Sequence, residues 1–109
     1  MEIVLYTETF KFNLWHMIKS FRSKEAENLW NRQRSAKLPF SIQSKSRDKL
    51  SQIDSAIQVE DLRFPPGNRL EGLSGNRVGQ HSIRINQQWR ICFRWEAGNA
   101  FDVEIVDYH

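Results

Sequence analysis

The chain closes on "DVEIVDYH", which places a carboxylate, a phenol and an imidazole at Asp107, Tyr108 and His109, directly after a strand-like alternation. Chain ends ordinarily fray, so groups able to move protons are useful there only if the end is held. A free imidazole titrates near about 6.5 and can accept or donate a proton at neutral pH. His109 is therefore the leading acid/base candidate, with Asp107 or Glu71 as a second. Tyr108 can stack on a planar group or donate through its hydroxyl. The cations upstream are arginines: Arg77 in "SGNRVG", Arg84 in "HSIRI", and Arg90 and Arg94 in "WRICFRW", with no lysine after Lys49. A planar guanidinium matches phosphate geometry better than an ammonium does. This set suits proton transfer beside a bound phosphate, provided that the strands bring its members together.

The apolar alternation decides that. Ile83 and Ile85, then Trp89, Ile91, Phe93 and Trp95, then Phe101, Val103 and Ile105 define one face. A slip of one residue would put all of them in water. Directly opposite residues share a face, so Ile85 pairs with Trp89 and Ile83 with Ile91. The loop is then Asn86-Gln87-Gln88, with a bulge expected at a left-handed position. Arg84 falls opposite Arg90 on the other face, and like charges so placed oppose pairing by a few tenths to about 1 kcal/mol. Either the two splay into solvent or they share a phosphate. A second hairpin with Trp95 opposite Phe101 sets Arg94 opposite Asp102 and Cys92 opposite Glu104. Arg94 thus has a structural ion pair as its alternative to ligand binding. The same register brings Val106, and the tail behind it, beside Arg90. His81 has apolar-face parity, which suits a residue at the edge of the core.

Residues 18–21 read as a short strand. Ser23 is a good N-cap for a helix to about residue 34, with Glu25 in its first turn and Ala26, Leu29 and Trp30 as its stripe. "KLPF" breaks it. A second helix spans 40–56, with Ser46, Lys49, Leu50, Ile53, Ala56 and Ile57 on one side. "VEDL" adds a turn and "PPGN" stops it. Four glycines, Gly67, Gly72, Gly75 and Gly79, punctuate the change to a period of two. Strands follow at 69–73, 80–85, 89–95 and 99–106. The fold class is α+β, with two N-terminal helices packed on one face of a small, mainly antiparallel sheet.

A chain of 109 residues with 39% hydrophobic content and four Trp supports one domain. Cys92 is the lone cysteine, so no internal disulfide forms, and a reducing, cytoplasmic setting is expected. No CxxC, HExxH or GxxxxGK[ST] occurs, so neither a metal nor a nucleotide cofactor is expected. No stretch is apolar and long enough to span a membrane. Residues 1–16 lack a secretory pattern. They are read as a dispensable extension ahead of "MIKSF" at Met17, the alternative being an added edge strand built on Phe10, Phe12 and Leu14. Glu2, Glu8 and Lys11 sum to −1, so residues 17–109 carry +4 of the net +3. That balance alone points only weakly to an anionic partner.

"RLEGLSGNRVGQHSIRINQQWRICFRW" followed by "VEIVDYH" resembles the HigB branch of the RelE/ParE toxin superfamily. The similarity is greatest to GraT-type toxins, which also open on MI-[KR]-SF and end on VDYH. It covers residues 17–109. It implies a RelE-like, microbial RNase-like fold and a type II toxin that cleaves mRNA in the ribosomal A site without a cofactor. It also implies a HigA-type helix-turn-helix antitoxin, through which alone operator DNA would be bound. The match assigns Arg90 as a phosphate-binding arginine and Asp107, Tyr108 and His109 as the catalytic set. Two positions depart from the pattern: Glu71 stands where some HigB toxins have His, and Ser74 where many have Lys. The ribose 2′-hydroxyl of RNA is its own nucleophile, so the protein need only move two protons and stabilise charge. Arg90, helped by Arg84, is the expected charge stabiliser, and Arg77 a contact to ribosomal RNA. A ParE-like inhibitor of DNA gyrase and a non-cleaving A-site binder are the competing readings.

Overall fold

The apolar alternation of the second half builds one sheet. The computed structural model describes residues 17–108. The expected extension 1–16 and His109 lie outside the described residues. Strands β1 (Glu71–Gly72), β2 (Gln80–Arg84), β3 (Trp89–Glu96) and β4 (Asn99–Asp107) lie in that order, each antiparallel to its neighbour. The segment after Met17 lines the far side of β4. Ile18 bridges Ala100 and Phe21 bridges Val103, both parallel, with Lys19 N–H donating to Ala100 O at 2.8 Å. Asp54 accepts from the backbone N–H groups of Met17 and Ile18 at 2.8 and 3.1 Å and fixes where this segment enters.

Helix α1 (Lys24–Trp30) starts at Ser23, whose hydroxyl accepts the Ala26 N–H at 3.2 Å. It stops four residues short of the expected end, because Arg32 takes φ 62. Tertiary bonds favour that reversal. The buried Gln43 donates to Ser35 O and Leu38 O at 2.8 and 3.0 Å and accepts the Ser35 N–H, so the turn's backbone is satisfied without more helix. Helix α2 (Phe40–Ser55) buries Ile42, Gln43, Ser46, Lys49, Leu50 and Ile53. Ile57 is 80% exposed, contrary to the expected stripe, because Ala56 is already extended and breaks the helical period. A 3-10 turn, Val59–Arg63, follows and buries Leu62. Asp61 accepts the N–H groups of Gln58 and Ile57, and these bonds lower its pKa.

The helices cover Ile83, Ile85, Ile91, Phe93, Val103 and Ile105, which pack with Ala26, Leu29, Leu50 and Ile53. Each such side chain contributes about 1.5–3 kcal/mol on burial. His81 stacks on Phe93 at the core edge, 6.1 Å between centroids. The β2–β3 register is as the alternation requires, with Ile83 opposite Ile91 and Arg84 opposite Arg90. No residue of its 86–88 loop has a positive φ, so the expected left-handed bulge is absent. Asn86 Oδ1 closes the loop instead, accepting from the N–H groups of Gln88 and Trp89, both at 2.8 Å.

The second hairpin differs from expectation. Ala97 and Gly98 both have positive φ (50 and 81) and make a two-residue turn that pairs Glu96 with Asn99. Trp95 therefore faces Ala100, and Arg94 faces Phe101. A bulge at Asp102 (φ 56) restores the expected pairing of Cys92 with Glu104 and of Arg90 with Val106. Phe101 thus leaves the core face, and its ring lies 4.8 Å from Arg94 Cζ. The small Ala100 takes the core position, where the Ile18 segment crosses. Strand β1 is shorter than the expected 69–73, because Arg69 turns to φ 45.

Candidate active site

Arg90 is the fixed point of the site. The alternation of β3 puts it on the face away from the helices, opposite Arg84 on one side and Val106 on the other. Its side chain is only 8% exposed. A buried cation is tolerated when its donors are satisfied. Here Nε donates to Ser82 Oγ at 2.8 Å, and Nη2 donates to Arg69 O and, at 3.2 Å, to Ser82 O. The carboxylate of Glu71 stands 4.0 Å from Nη2, and the ring of Tyr108 lies 5.5 Å from Cζ. The Nη1 N–H groups have no hydrogen-bond partner among the described residues. Among the described residues, Arg90 is thus an anchored charge with one nitrogen left to donate.

The anchoring carbonyl of Arg69 is itself positioned from α2. Asn68 is wholly buried; its amide nitrogen is within bonding distance of Gln52 Oε1 (2.9 Å), Leu62 O and Phe64 O (both 3.2 Å). Its oxygen accepts from Lys49 Nζ. Burial, and then the neighbouring Lys45, push the Lys49 pKa below its usual value. This knot ties residues 62–68 to α2, and the left-handed turn at Arg69 then presents its carbonyl to Arg90.

The tail reaches the same place. Asp107 pairs with Trp89 at the end of β4, and Gln88 Nε2 donates to Asp107 Oδ2 at 3.0 Å. The Tyr108 N–H donates to Gln88 O at 2.6 Å. The chain is therefore held through Tyr108, whose ring lies against Arg90. Arg77, Val106, Asp107 and Tyr108 line an open cleft of about 390 Å³. Arg77 reaches into it from the 3-10 turn Gly75–Arg77 and donates to Glu104 Oε2 at 2.9 Å and Gln80 Oε1 at 3.0 Å. The bond to Glu104 raises the Arg77 pKa, so this cation keeps its charge. Cys92 is buried opposite Ser82 and Glu104, and burial pushes its thiol pKa up.

Of the residues singled out from sequence, Arg90, Glu71, Tyr108 and Arg77 converge on this face, while Asp107, opposite Trp89 and so of helix-side parity, lines the cleft at the end of β4. Arg84 is half-buried opposite Arg90 and has no described carboxylate within ion-pairing distance. Arg94 lies apart. Four residues along β3 amount to about 13 Å, and its guanidinium is held by Glu96 at 2.6 Å and Asp102 at 3.3 Å. The Asp102 pair expected from sequence forms despite the changed register. These two carboxylates, Asp102 foremost, raise the Arg94 pKa. Sequence reasoning missed Ser82, Asn68 and Gln88. Ser82 carries a usable signal, since the register sets it opposite Cys92, diagonal to Arg90 on the polar face. Gln88 carries one too, since the same register puts its neighbour Trp89 opposite Asp107, whereas the bonds of Asn68 to Lys49 and Gln52 on α2 have no signal in the alternation. Among the described residues no group of three or more His, Cys, Asp or Glu could hold a metal ion. The arrangement offers guanidinium donors for an anion, with carboxylates and a phenol beside them.

A family profile for the HigB-like toxin, described as the RelE-like toxin of type II toxin–antitoxin system HigB, matches residues 19–109. Toxin HigB-1 of Vibrio cholerae serotype O1 is 40% identical over 87 residues, spanning 79% of this chain and 92% of that protein. Endoribonuclease HigB of Proteus vulgaris is 32% identical over 93 residues, spanning 85% of this chain and 100% of that protein. An uncharacterised protein of Haemophilus influenzae is 34% identical over 61 residues, 56% of this chain and 60% of its own length.

Proposed function

Because the chain belongs to the HigB-like family of RelE-like toxins of type II toxin–antitoxin systems, we propose that it is an endoribonuclease that cuts mRNA on the ribosome and so arrests translation. Membership implies an antitoxin partner, and a HigA-type helix-turn-helix protein fits that role. The observation that carries the reading is the anchored Arg90 with Tyr108 against its guanidinium and the tail tied to Gln88. This arrangement holds positive charge beside the tail, which is fixed as far as Tyr108.

The chemistry follows from those groups. The ribose 2′-oxygen attacks the adjacent phosphorus in line, the bond to the 5′-oxygen breaks, and a 2′,3′-cyclic phosphate remains. Asp107 or Glu71 takes the 2′-hydroxyl proton, and His109, one residue beyond Tyr108, donates a proton to the departing 5′-oxygen. Nη1 of Arg90 and the guanidinium of Arg84, neither with a partner among the described residues, donate to the non-bridging oxygens as charge builds. One such donor is worth about 3–4 kcal/mol. Tyr108 stacks on a base or bonds a phosphate oxygen, and Arg77 meets ribosomal RNA at the rim. The ribosome bends and holds the mRNA and so supplies orientation that the open cleft lacks.

Mapping mRNA 5′ ends in a reconstituted translation reaction tests this. The wild-type chain should cut at codon-positioned sites, and His109→Ala should slow cutting about 10²- to 10⁴-fold. Full cleavage by His109→Ala would remove its acid/base role. DNA breaks with intact mRNA would indicate gyrase inhibition, and arrest without any cut an A-site binder.

A further inference from the structure

Between Asn28 and Arg47 the chain carries Arg32, Arg34, Lys37, Lys45 and Arg47 and no carboxylate, a local charge of +5 in a protein of net +3. The fold concentrates three of these. Arg32, Arg34 and Arg47, with Phe40 and Gln43, line a cleft of about 360 Å³ where α1 turns into α2. The left-handed Arg32 reverses the chain, the buried Gln43 clamps residues 35–38, and Phe40, Gln43 and Arg47 share one helix face at i, i+3 and i+7. None of the three arginines has a described carboxylate within 4.0 Å. On the sheet, Arg77, Arg90 and Arg94 each reach one, and only Arg84 does not among the described residues. Phe40 is 77% exposed, and Arg34 Cζ lies 5.8 Å from its ring centre. The first turn of α2 holds no acidic residue, and Pro39 gives it no side-chain cap, which adds to the positive potential.

We propose that this cleft is a second RNA-binding surface, which grips the phosphates of a structured RNA other than the strand cut at the Arg90–Tyr108 cleft. The inference rests on the reading of the protein as an RNA-cutting toxin. Unpaired arginines packed together oppose one another unless an anion sits among them. Guanidiniums around an exposed ring suit RNA, whose backbone supplies the charge and whose unpaired bases can stack. An amphipathic acidic helix would need a row of apolar anchors, and the lining offers Phe40 alone. The surface belongs to the helical layer, whereas Arg84, Arg90 and Val106 point from the sheet's other face. The helical layer and the sheet lie between the two, so this surface is no part of the Arg90–Tyr108 cleft, and a folded RNA surrounding the protein can meet both.

Fluorescence anisotropy with a labelled 20-base-pair RNA hairpin, read across a range of salt, tests the surface without any cleavage. The combined Arg32→Gln/Arg34→Gln/Arg47→Gln variant should bind at least tenfold more weakly at 100 mM salt. Its slope of log K against log salt should fall by about 2, since each phosphate contact contributes roughly 0.7–0.9. The matching Arg→Lys variant should keep most of the slope, and circular dichroism should confirm that both fold. If the combined variant does not fold, Arg34→Gln alone should lower the slope by about 0.7–0.9. Wild-type affinity and slope in the folded Gln variants would overturn the proposal. So would retained RNA binding together with lost antitoxin binding, which would make the surface a protein-docking face. A wild-type chain that binds the hairpin through this cleft yet cuts no mRNA would defeat the nuclease reading and leave the RNA surface standing.

Discussion

Arg90→Ala should damage the fold as well as the reaction, and the size of that damage can be worked from its bonds. The substitution removes a bond from Nε to the fully buried Ser82 hydroxyl, two bonds to carbonyls, and the contact with the Tyr108 ring. A hydrogen bond to a charged group nets about 1.5–3 kcal/mol. The ring contact adds about 0.5–1 kcal/mol at a half-exposed site. Arg69 is exposed, so water can replace the guanidinium at its carbonyl and that bond counts for little. Removing the charge also relieves its desolvation. The expected loss is therefore about 2–4 kcal/mol, a fall in Tm of roughly 10–20 °C for a domain of this size. Urea unfolding followed by tryptophan fluorescence measures it, because Trp89 and Trp95 pack against the core. Ser82→Ala removes one acceptor, leaves the charge in place, and should cost about 1–3 kcal/mol. The double variant should fall short of the sum by about 1 kcal/mol or more. If Arg90→Ala unfolds at the wild-type urea midpoint, the guanidinium is not anchored as argued. Any loss of cleavage could then be assigned to chemistry alone. If the expected loss appears, cleavage by Arg90 variants must be measured well below their melting range.

Two further outcomes are expected. A chain that starts at Met17 should melt within about 4 °C of the full-length protein, the span of a change worth no more than about 0.5 kcal/mol, because the family match begins at residue 19 and Asp54 already fixes the Met17 and Ile18 amides; a fall of more than 10 °C would show that residues 1–16 are structural. The Asp61 carboxyl has its pKa lowered by the amides of Gln58 and Ile57, so its contribution is complete above its ordinary value of 3.8 and is lost as pH falls through the lower folded value. The stability gap between wild type and Asp61→Asn should therefore close toward acid, and a gap constant with pH in urea titrations would contradict the capping role.

The strand alternation carried most of what could be read in advance, because burial of one face leaves a single acceptable register. It placed Arg84 opposite Arg90 and Val106 beside Arg90, as observed. It failed at Phe101, where an apolar residue sits on the polar face. The two-residue turn at Ala97-Gly98 and the bulge at Asp102 each change the count by one, and the small Ala100 lets the Ile18 segment approach β4. Propensity likewise extended α1 past Trp30, and Gln43 on the next helix overrode it. In both places a bond between distant elements beat a local rule.

What periodicity cannot show is how a polar side chain on a known face spends its donors. Arg84 and Arg90 share a face and a residue type, yet the structure gives them different parts. Arg90 is committed to Ser82 and to a carbonyl positioned through Asn68 and Lys49, so its charge is placed by the packing of α2. Arg84, half-buried, has no such bonds among the described residues. Under the proposed chemistry, an anchored charge would meet a phosphate at no cost in reorganisation. The run of cations from Arg32 to Arg47 was open to view in the sequence in the same incomplete sense. Its charge could be summed, but only the reversal at Arg32 shows that three of the five share one cleft and that no described carboxylate reaches them.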